Sequence, residues 1–313
     1  MRIALDVFGG DFTPQASMEG VSLFIQLNKQ AEVLLIGEKE KISPLLTQYS
    51  IPQNRVNIIH TTEYIDMTEH PVQAFQKKPN NSIAIGLSLV KQKKADAFIS
   101  AGNTGAMLVG ASFILPLISG VQRPTIGSYY PQSDGSFAYL LDVGLNMDCK
   151  PEHLVGFAQL GSTYMRTMHQ ITQPRVALLN VGEEKNKGNQ LTKKVHELLA
   201  EQKNINFIGN IEGRDLHNQS ADVIVCDGFI GNVLLKHAES IYHLFKDKTD
   251  VSIFNYEQYG GTPVLGTQGI AIVGHGISNA EAFKNMLIKA VEMVEKKLVE
   301  NIQSDFENKY AAK

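Results

Sequence analysis

Short apolar runs alternate with amphipathic stretches along the first hundred residues, and this alternation sets the expected fold. Ile3 to Val7 is apolar and ends at Gly9-Gly10-Asp11, with Thr13-Pro14 opening a helix-spaced pattern that runs to about Leu27. Val33 to Ile36 is a second strand pattern closed by Gly37, Ser43-Pro44 opens a short helix, and Arg55 to His60 gives a third strand. A β-α-β-α-β order favours a parallel sheet with helices on both faces. Thr61 to Pro79 is polar and reads as an excursion near the sheet edge; Asn80-Asn81-Ser82 then caps a helix through Lys94.

The stretch from Ala95 to Leu108 carries the most information. Its apolar run meets Gly102-Asn103-Thr104-Gly105 and continues with helical spacing to Leu115, where Pro116 stops it. Glycine lets the backbone turn sharply, Asn103 or Thr104 caps the helix, and the free N–H groups of a helix start make an anion site. Downstream, Thr125 to Pro131 and Phe137 to Val143 form a hairpin pattern around Gln132-Ser133-Asp134-Gly135, an antiparallel extension over about 125–143. A helix to about His169, a strand from Arg175 to Val181, a helix through Gln202 and strands at Asn206 to Gly209 and Val223 to Cys226 continue the alternation. Ser278 and Glu281 have capping-box spacing before a long apolar stripe, so one C-terminal helix is expected over 278–309.

The expectation is therefore a single doubly wound α/β domain over residues 1–313, with a mainly parallel sheet and helices on both faces. Six glycine-bearing turns follow its strand patterns: Gly9 to Asp11, Gly102 to Gly105, Gly144 to Asp148, Gly182 to Gly188, Gly213 to Asp215 and Gly228 to Asn232. In a parallel sheet such turns share the edge where ligands bind. None spells a dinucleotide fingerprint or a P-loop.

Composition narrows the class. The 29 Lys and Arg against 32 Asp and Glu leave a formal charge of −3, which argues against a nucleic-acid binder. Two cysteines in unlike contexts, Cys149 and Cys226, fit a reducing cytoplasmic interior and offer no metal site. The N-terminus enters a strand pattern at once, and no apolar run approaches the roughly 20 residues of a membrane helix.

The polar groups on the expected edge are mostly donors: Asn103, Thr104, Asn146, Lys150, Lys187, Asn232 and His275. Singly, the Asn residues read as caps and turn formers; Lys150 and Lys187, beside Pro or Gly at strand exits, fit that reading less well. Cys149 has His153 four residues on, but Pro151 starts a helix between them, so it is not expected to be a nucleophile.

The runs Gly9-Gly10-Asp11, Ser100 to Ala106, Leu141 to Gly144 with Asp148 to Leu154, Leu179 to Glu184 with Lys187-Gly188-Asn189, Asn210 to Asp215, Val225 to Asn232 and Tyr259-Gly260-Gly261 resemble the PlsX family, the bacterial acyl-acyl-carrier-protein:phosphate acyltransferases. The resemblance runs in order from residue 2 to about residue 285. It implies that inorganic phosphate attacks the thioester of a long-chain acyl-carrier protein, giving acyl phosphate for phospholipid synthesis and free carrier protein. It further implies a homodimer with a fold like that of phosphotransacetylase and the isocitrate dehydrogenase group. Phe8, Leu145 and Ile277 depart from the usual residues, and the segment between Lys236 and Tyr259 is shorter than in many relatives. Ile241, Leu244, Phe245 and Phe254 are interrupted there by Lys246, Asp247, Lys248 and Asp250, so membrane contact is expected to be peripheral at most.

Phosphate is already a competent nucleophile, so the enzyme has to position it and polarise the carbonyl. The reading gives Asn103, Thr104, Gly105 and Lys150 to phosphate, and lists Asn146, Lys150, Lys187, Asn232 and His275 as catalytic, with no metal and no cofactor. A basic patch should guide the acidic carrier protein, with Arg166, Arg175, Lys185, Lys193, Lys194 and Arg214 as candidates. Two other readings remain open at this point: a phosphotransacetylase-like enzyme using acyl-coenzyme A, and a non-catalytic binder of the carrier protein or of phosphate metabolites.

Overall fold

The computed structural model describes residues 1–248, 254 and 259–311. In chain order the elements begin with β1 (Arg2–Asp6), α1 (Gln15–Leu27), β2 (Glu32–Gly37), α2 (Lys39–Gln48) and β3 (Val56–His60). Then come α3 (Pro71–Lys77), α4 (Ser82–Lys91), β4 (Ala97–Ser100), α5 (Thr104–Ile114), β5 (Thr125–Pro131), β6 (Phe137–Leu141) and α6 (Pro151–His169). They continue with β7 (Arg175–Leu179), α7 (Gln190–Ala200), β8 (Asn206–Ile211), β9 (Val223–Val225) and α8 (Gly228–Phe245). The chain closes with β10 (Thr262–Leu265), β11 (Ile270–Val273), α9 (Ala280–Glu295) and α10 (Leu298–Ala311).

Two compact units are present, one from Met1–Pro116 with the described residues of Tyr256–Val299, the other from Leu117–Asn255 with Glu300–Lys313, again as described. The α/β class and the mainly parallel pairing are as the sequence pattern implies. In the first unit the strand order is β3-β2-β1-β4-β11-β10, parallel except for the β10–β11 pair. Its central strands are apolar on both faces: Ile3, Ala4 and Leu5 of β1 and Ala97, Phe98 and Ile99 of β4 are wholly buried, which a sheet covered by helices on both sides requires. Gly20 of α1 lets that helix press against α9, since a Cβ there would lie 2.5 Å from the Phe283 Cβ.

In the second unit the order is β5-β6-β9-β7-β8, parallel except for the β5–β6 hairpin that begins it. The hairpin expected over 125–143 is thus present, with Tyr129 paired to Tyr139. Gly161 of α6 meets the sheet closely, an added Cβ lying 2.7 Å from Val223 Cγ1.

The second helix starts at Lys39, not at the expected Ser43-Pro44, so that Pro44 lies inside α2, and further details also differ from the sequence expectation. The polar stretch after β3 contains α3, and the pair β10–β11 supplies strands that were not anticipated, β11 among them lying beside β4. The segment 278–309 is two helices, because Lys297 takes a left-handed conformation (φ 52°) between α9 and α10. Residues 249–253 and 255–258, and so Asp250 of the short segment after Lys236, lie outside the described residues.

Candidate active site

In each unit the parallel strands end in turns organised by a buried aspartate. In the first unit Asp6 closes β1 at 3% exposure. Its Oδ2 accepts from Ser100 Oγ at 2.8 Å, and Ser100 Oγ accepts in turn from Gly102 N at 3.0 Å. Burial raises the Asp6 carboxyl above the ordinary carboxylate pKa, and the Ser100 hydrogen bond opposes that rise. Gly9 has to be glycine, because a Cβ there would stand 2.5 Å from Asp6 Oδ2 and 2.8 Å from Gly102 N. The turns after β1 and β4 are therefore packed closely against each other and bridged by the Ser100 hydroxyl.

Asn103 follows as the N-cap of α5, its Oδ1 accepting from Ala106 N at 2.9 Å. Its Nδ2 donates to Asp66 O at 2.9 Å and Glu69 O at 3.0 Å, tying down the loop after β3. The Asn103 side chain is thus spent on structure. The backbone N–H groups of Thr104 and Gly105 remain directed out of the helix start, where an α-helix leaves its first donors without intrahelical partners. Gly105 is not in the left-handed region; it is small because Pro71 Cγ would lie 2.6 Å from a Cβ. His275 sits on this same edge of the first unit, in the turn after β11, with Gly274 N donating to Ser100 O at 2.8 Å. Asn279, not Ser278, caps α9, accepting from Ala282 N at 3.0 Å, while Ser278 Oγ donates to His275 O at 2.6 Å.

In the second unit Asp142 follows β6 and is wholly buried. It accepts from Gly144 N and Leu145 N, each at 3.1 Å, from Asn146 N at 2.7 Å and from Asn146 Nδ2 at 2.6 Å. Burial again raises its pKa, opposed by these donors. Asn146 Nδ2 also donates to Pro124 O at 2.9 Å, and Asn232 Nδ2 donates to Val143 O at 3.2 Å. Both side chains hold the turn in place. Gly228 N donates to Asn146 O at 2.8 Å, and a Cβ at Gly231 would lie 1.8 Å from Asp142 O, so the start of α8 is pressed onto the same turn.

Cys149 donates to Asn146 O at 3.4 Å. Burial first, then the nearby charge of Asp142, pushes its thiol up to about 12, which makes a thiolate at neutral pH scarce. Lys150 and Lys187 are exposed, and among the described residues neither ammonium group has an ion-pair partner. Lys187 belongs to the loop after β7, held by Asn180 Nδ2 donating to Lys187 O at 3.2 Å.

The six basic residues assigned to carrier binding do not share one edge. Arg175 begins β7 and Arg166 lies near the end of α6, which runs from the exit of β6 back to the start of β7, so both face the edge opposite the turns. Arg166 is paired with Asp305, and Arg175 is bidentate to Asp222, at 3.1 Å from Nε and 2.9 Å from Nη2. Lys185, Lys193, Lys194 and Arg214 lie on the turn-bearing edge of this unit. Lys194 pairs with Glu197 and Arg214 with Glu212, both at 2.9 Å and with both cations largely in solvent.

Asp6, Ser100 and Asp142 are the site-building residues that the sequence left unassigned. Their signal was an acid or hydroxyl near the end of an apolar run, two or three residues before glycine.

Comparison with known proteins places this geometry in context. The model of a family described as "Fatty acid synthesis protein" matches residues 1–253. The "Phosphate acyltransferase" of Chlorobaculum parvum is 42% identical over 333 residues, covering 96% of this chain and 98% of its own. That of Halothermothrix orenii is 41% identical, covering 97% and 98%. Among solved structures, a phosphotransacetylase from Streptococcus pyogenes superposes with a TM-score of 0.67 at 18% identity, covering 96% of this chain and 94% of its own. A branched-chain phosphotransacylase from Enterococcus faecalis gives 0.64 at 15% identity, covering 94% and 99%. At these identities the two structures speak for the fold.

Proposed function

The chain belongs to the phosphate acyltransferase (PlsX) family, and from that membership we propose the course of its reaction. It transfers an acyl group to phosphate in lipid synthesis. A phosphate oxygen attacks the carbonyl carbon of the thioester of long-chain acyl-acyl carrier protein. The tetrahedral intermediate collapses with cleavage of the carbon–sulfur bond, and the carrier thiolate leaves and takes up a proton. Acyl phosphate and free carrier protein are the products.

In the first unit phosphate is assigned to the Thr104 and Gly105 N–H groups at the start of α5, with Asn103 as the cap that aims them and His275 on the same edge. A helix start suits an anion through its free donors and its dipole together. In the second unit Lys150 and Lys187, which have no ion-pair partner among the described residues, are assigned to substrate oxygens, where a charged donor stabilises developing negative charge. Asn146 and Asn232 shape the turn that carries Lys150. The thiol of Cys149 takes no part, and no cofactor enters the scheme. The carrier protein is assigned to the edge bearing Lys185, Lys193, Lys194 and Arg214. The proposal includes a homodimer in the cytoplasm with membrane contact peripheral at most; among the described residues no helix is long and apolar enough to cross a membrane.

The observation that carries the reading is the family match over nearly the whole chain, joined to free donors at the start of α5. The test measures thiol release from palmitoyl-acyl carrier protein and from palmitoyl-coenzyme A while phosphate is varied. Saturable dependence on phosphate with the higher kcat/KM for the carrier protein is expected. A higher kcat/KM for the coenzyme A ester would favour a phosphotransacetylase-like enzyme, and no phosphate-dependent release from either would favour a binding protein.

A further inference from the structure

A cavity of about 260 Å³ opens in the second unit between the first half of α6, the end of α7, the loop before β5 and Phe306 of α10. It is far larger than the roughly 10–15 Å³ that one water needs. Gly156 lines it from the interior of the 19-residue helix α6. Glycine is the poorest helix former after proline, and here no packing contact explains it, because a Cβ at Gly156 would meet nothing within 4 Å. The missing side chain leaves space open over an apolar floor of Val155, Leu198 and Phe306.

The polar rim carries Arg123 and His153, the amides of Gln122 and Gln202, and one carboxylate, Glu152. Arg123 lines the cavity, and among the described residues its guanidinium has no ion pair or hydrogen bond. His153 Nδ1 accepts from Lys150 N at 3.1 Å. Burial, then the charges of Arg123 and Lys150, holds the imidazole below its ordinary pKa, which favours the neutral ring, and an accepting Nδ1 leaves the proton on Nε2. Glu152 also lines the cavity, its charge felt by Lys194 of α7. A planar guanidinium fork suits a carboxylate, and the Nε2–H supplies a further donor. The apolar floor calls for a hydrocarbon body, which inorganic phosphate lacks, and the Glu152 carboxylate disfavours a doubly charged anion.

We propose that this cavity is a binding site for a small monocarboxylate carrying a short apolar chain. Its carboxylate meets Arg123 and His153, and its chain lies over Gly156 against Val155, Leu198 and Phe306. Nothing in this inference depends on the acyl-transfer reading, because binding is read without turnover.

The probe is hexanoate, followed by saturation-transfer NMR and calorimetry on the full chain. Saturable binding to the wild type is expected, about tenfold weaker in Arg123→Gln, which removes the charged fork. Gly156→Leu fills the open space and should abolish binding while the melting temperature holds or rises. Absence of saturable binding to the wild type would overturn the proposal. So would unchanged affinity in folded Arg123→Gln, or hexanol binding as tightly as hexanoate, since no anion would then be recognised.

Discussion

Ser100 Oγ donates to Asp6 Oδ2 at 2.8 Å across 94 positions of sequence, and the same oxygen accepts from Gly102 N. One hydroxyl thus links the exit of β1 to the turn that starts α5, and so fixes where the Thr104 and Gly105 N–H groups point.

Removing that hydroxyl should loosen both ends of the link. Ser100→Ala leaves a buried carboxyl and a buried N–H short of a partner, at a cost of about 1–3 kcal/mol by chemical denaturation. The KM for phosphate should rise several-fold more than the KM for the acyl donor. Equal stability with an unchanged phosphate KM would show that the link does not aim the helix start.

Cys149→Ser should keep turnover within a few-fold of wild type, because a thiol held near 12 and donating to Asn146 O is a poor nucleophile at neutral pH. Loss of activity, together with an acyl-thioester trapped on Cys149 of the wild type and seen by mass spectrometry, contradicts this.

Carrier recognition should follow the edge rather than the count of charges. Lys185→Glu combined with Lys193→Glu should raise the KM for the acyl-carrier protein by about tenfold at low salt, less as salt rises, since exposed charges are screened. Arg175→Gln should instead lower stability, breaking a bidentate contact to Asp222, and leave that KM alone. The reverse pattern in steady-state kinetics would place the carrier at the opposite edge.

Lys289 supplies a pH signature. Its ammonium is buried, donates to Tyr259 O at 2.6 Å and Gly261 O at 3.0 Å, and burial lowers its pKa to about 7. Below about 7 the group is charged whether folded or unfolded, and the full penalty of burying it stands. Between about 7 and the ordinary 10.5 the folded state sheds its proton first, so stability rises with pH by up to about 1.4 kcal/mol per unit. Denaturant melts of wild type and Lys289→Met from pH 6 to 9 should therefore differ in slope above pH 7, wild type gaining relative to the variant. Parallel curves would mean that Lys289 titrates normally.

Local signals account for what the sequence made legible. Apolar runs ending in glycine marked β1, β2 and β4, and Asn81 and Asn103 were readable as caps because capping acts over three residues. The break at Lys297 was hidden, since apolar spacing continues through it without glycine or proline. The two units were hidden for a similar reason: each is assembled from separate stretches of chain, and the crossing after Pro116 carries no linker composition. In the site, the long-range partners of Asn103, Asn146 and Asn232 decide whether their amides are free, and no local pattern encodes those partners. That Arg166 and Arg175 lie at the far edge from the other basic residues was hidden, because only the direction of α6 and β7 places them there.

The central claim is that phosphate, not water, takes the acyl group. Incubation with palmitoyl-acyl carrier protein and phosphate labelled at all four oxygens with oxygen-18 tests it by mass spectrometry. The predicted product is palmitoyl phosphate retaining all four labels, its formation saturating with phosphate and matched by free carrier thiol. Free palmitate without label, formed at a rate indifferent to phosphate, would contradict the account.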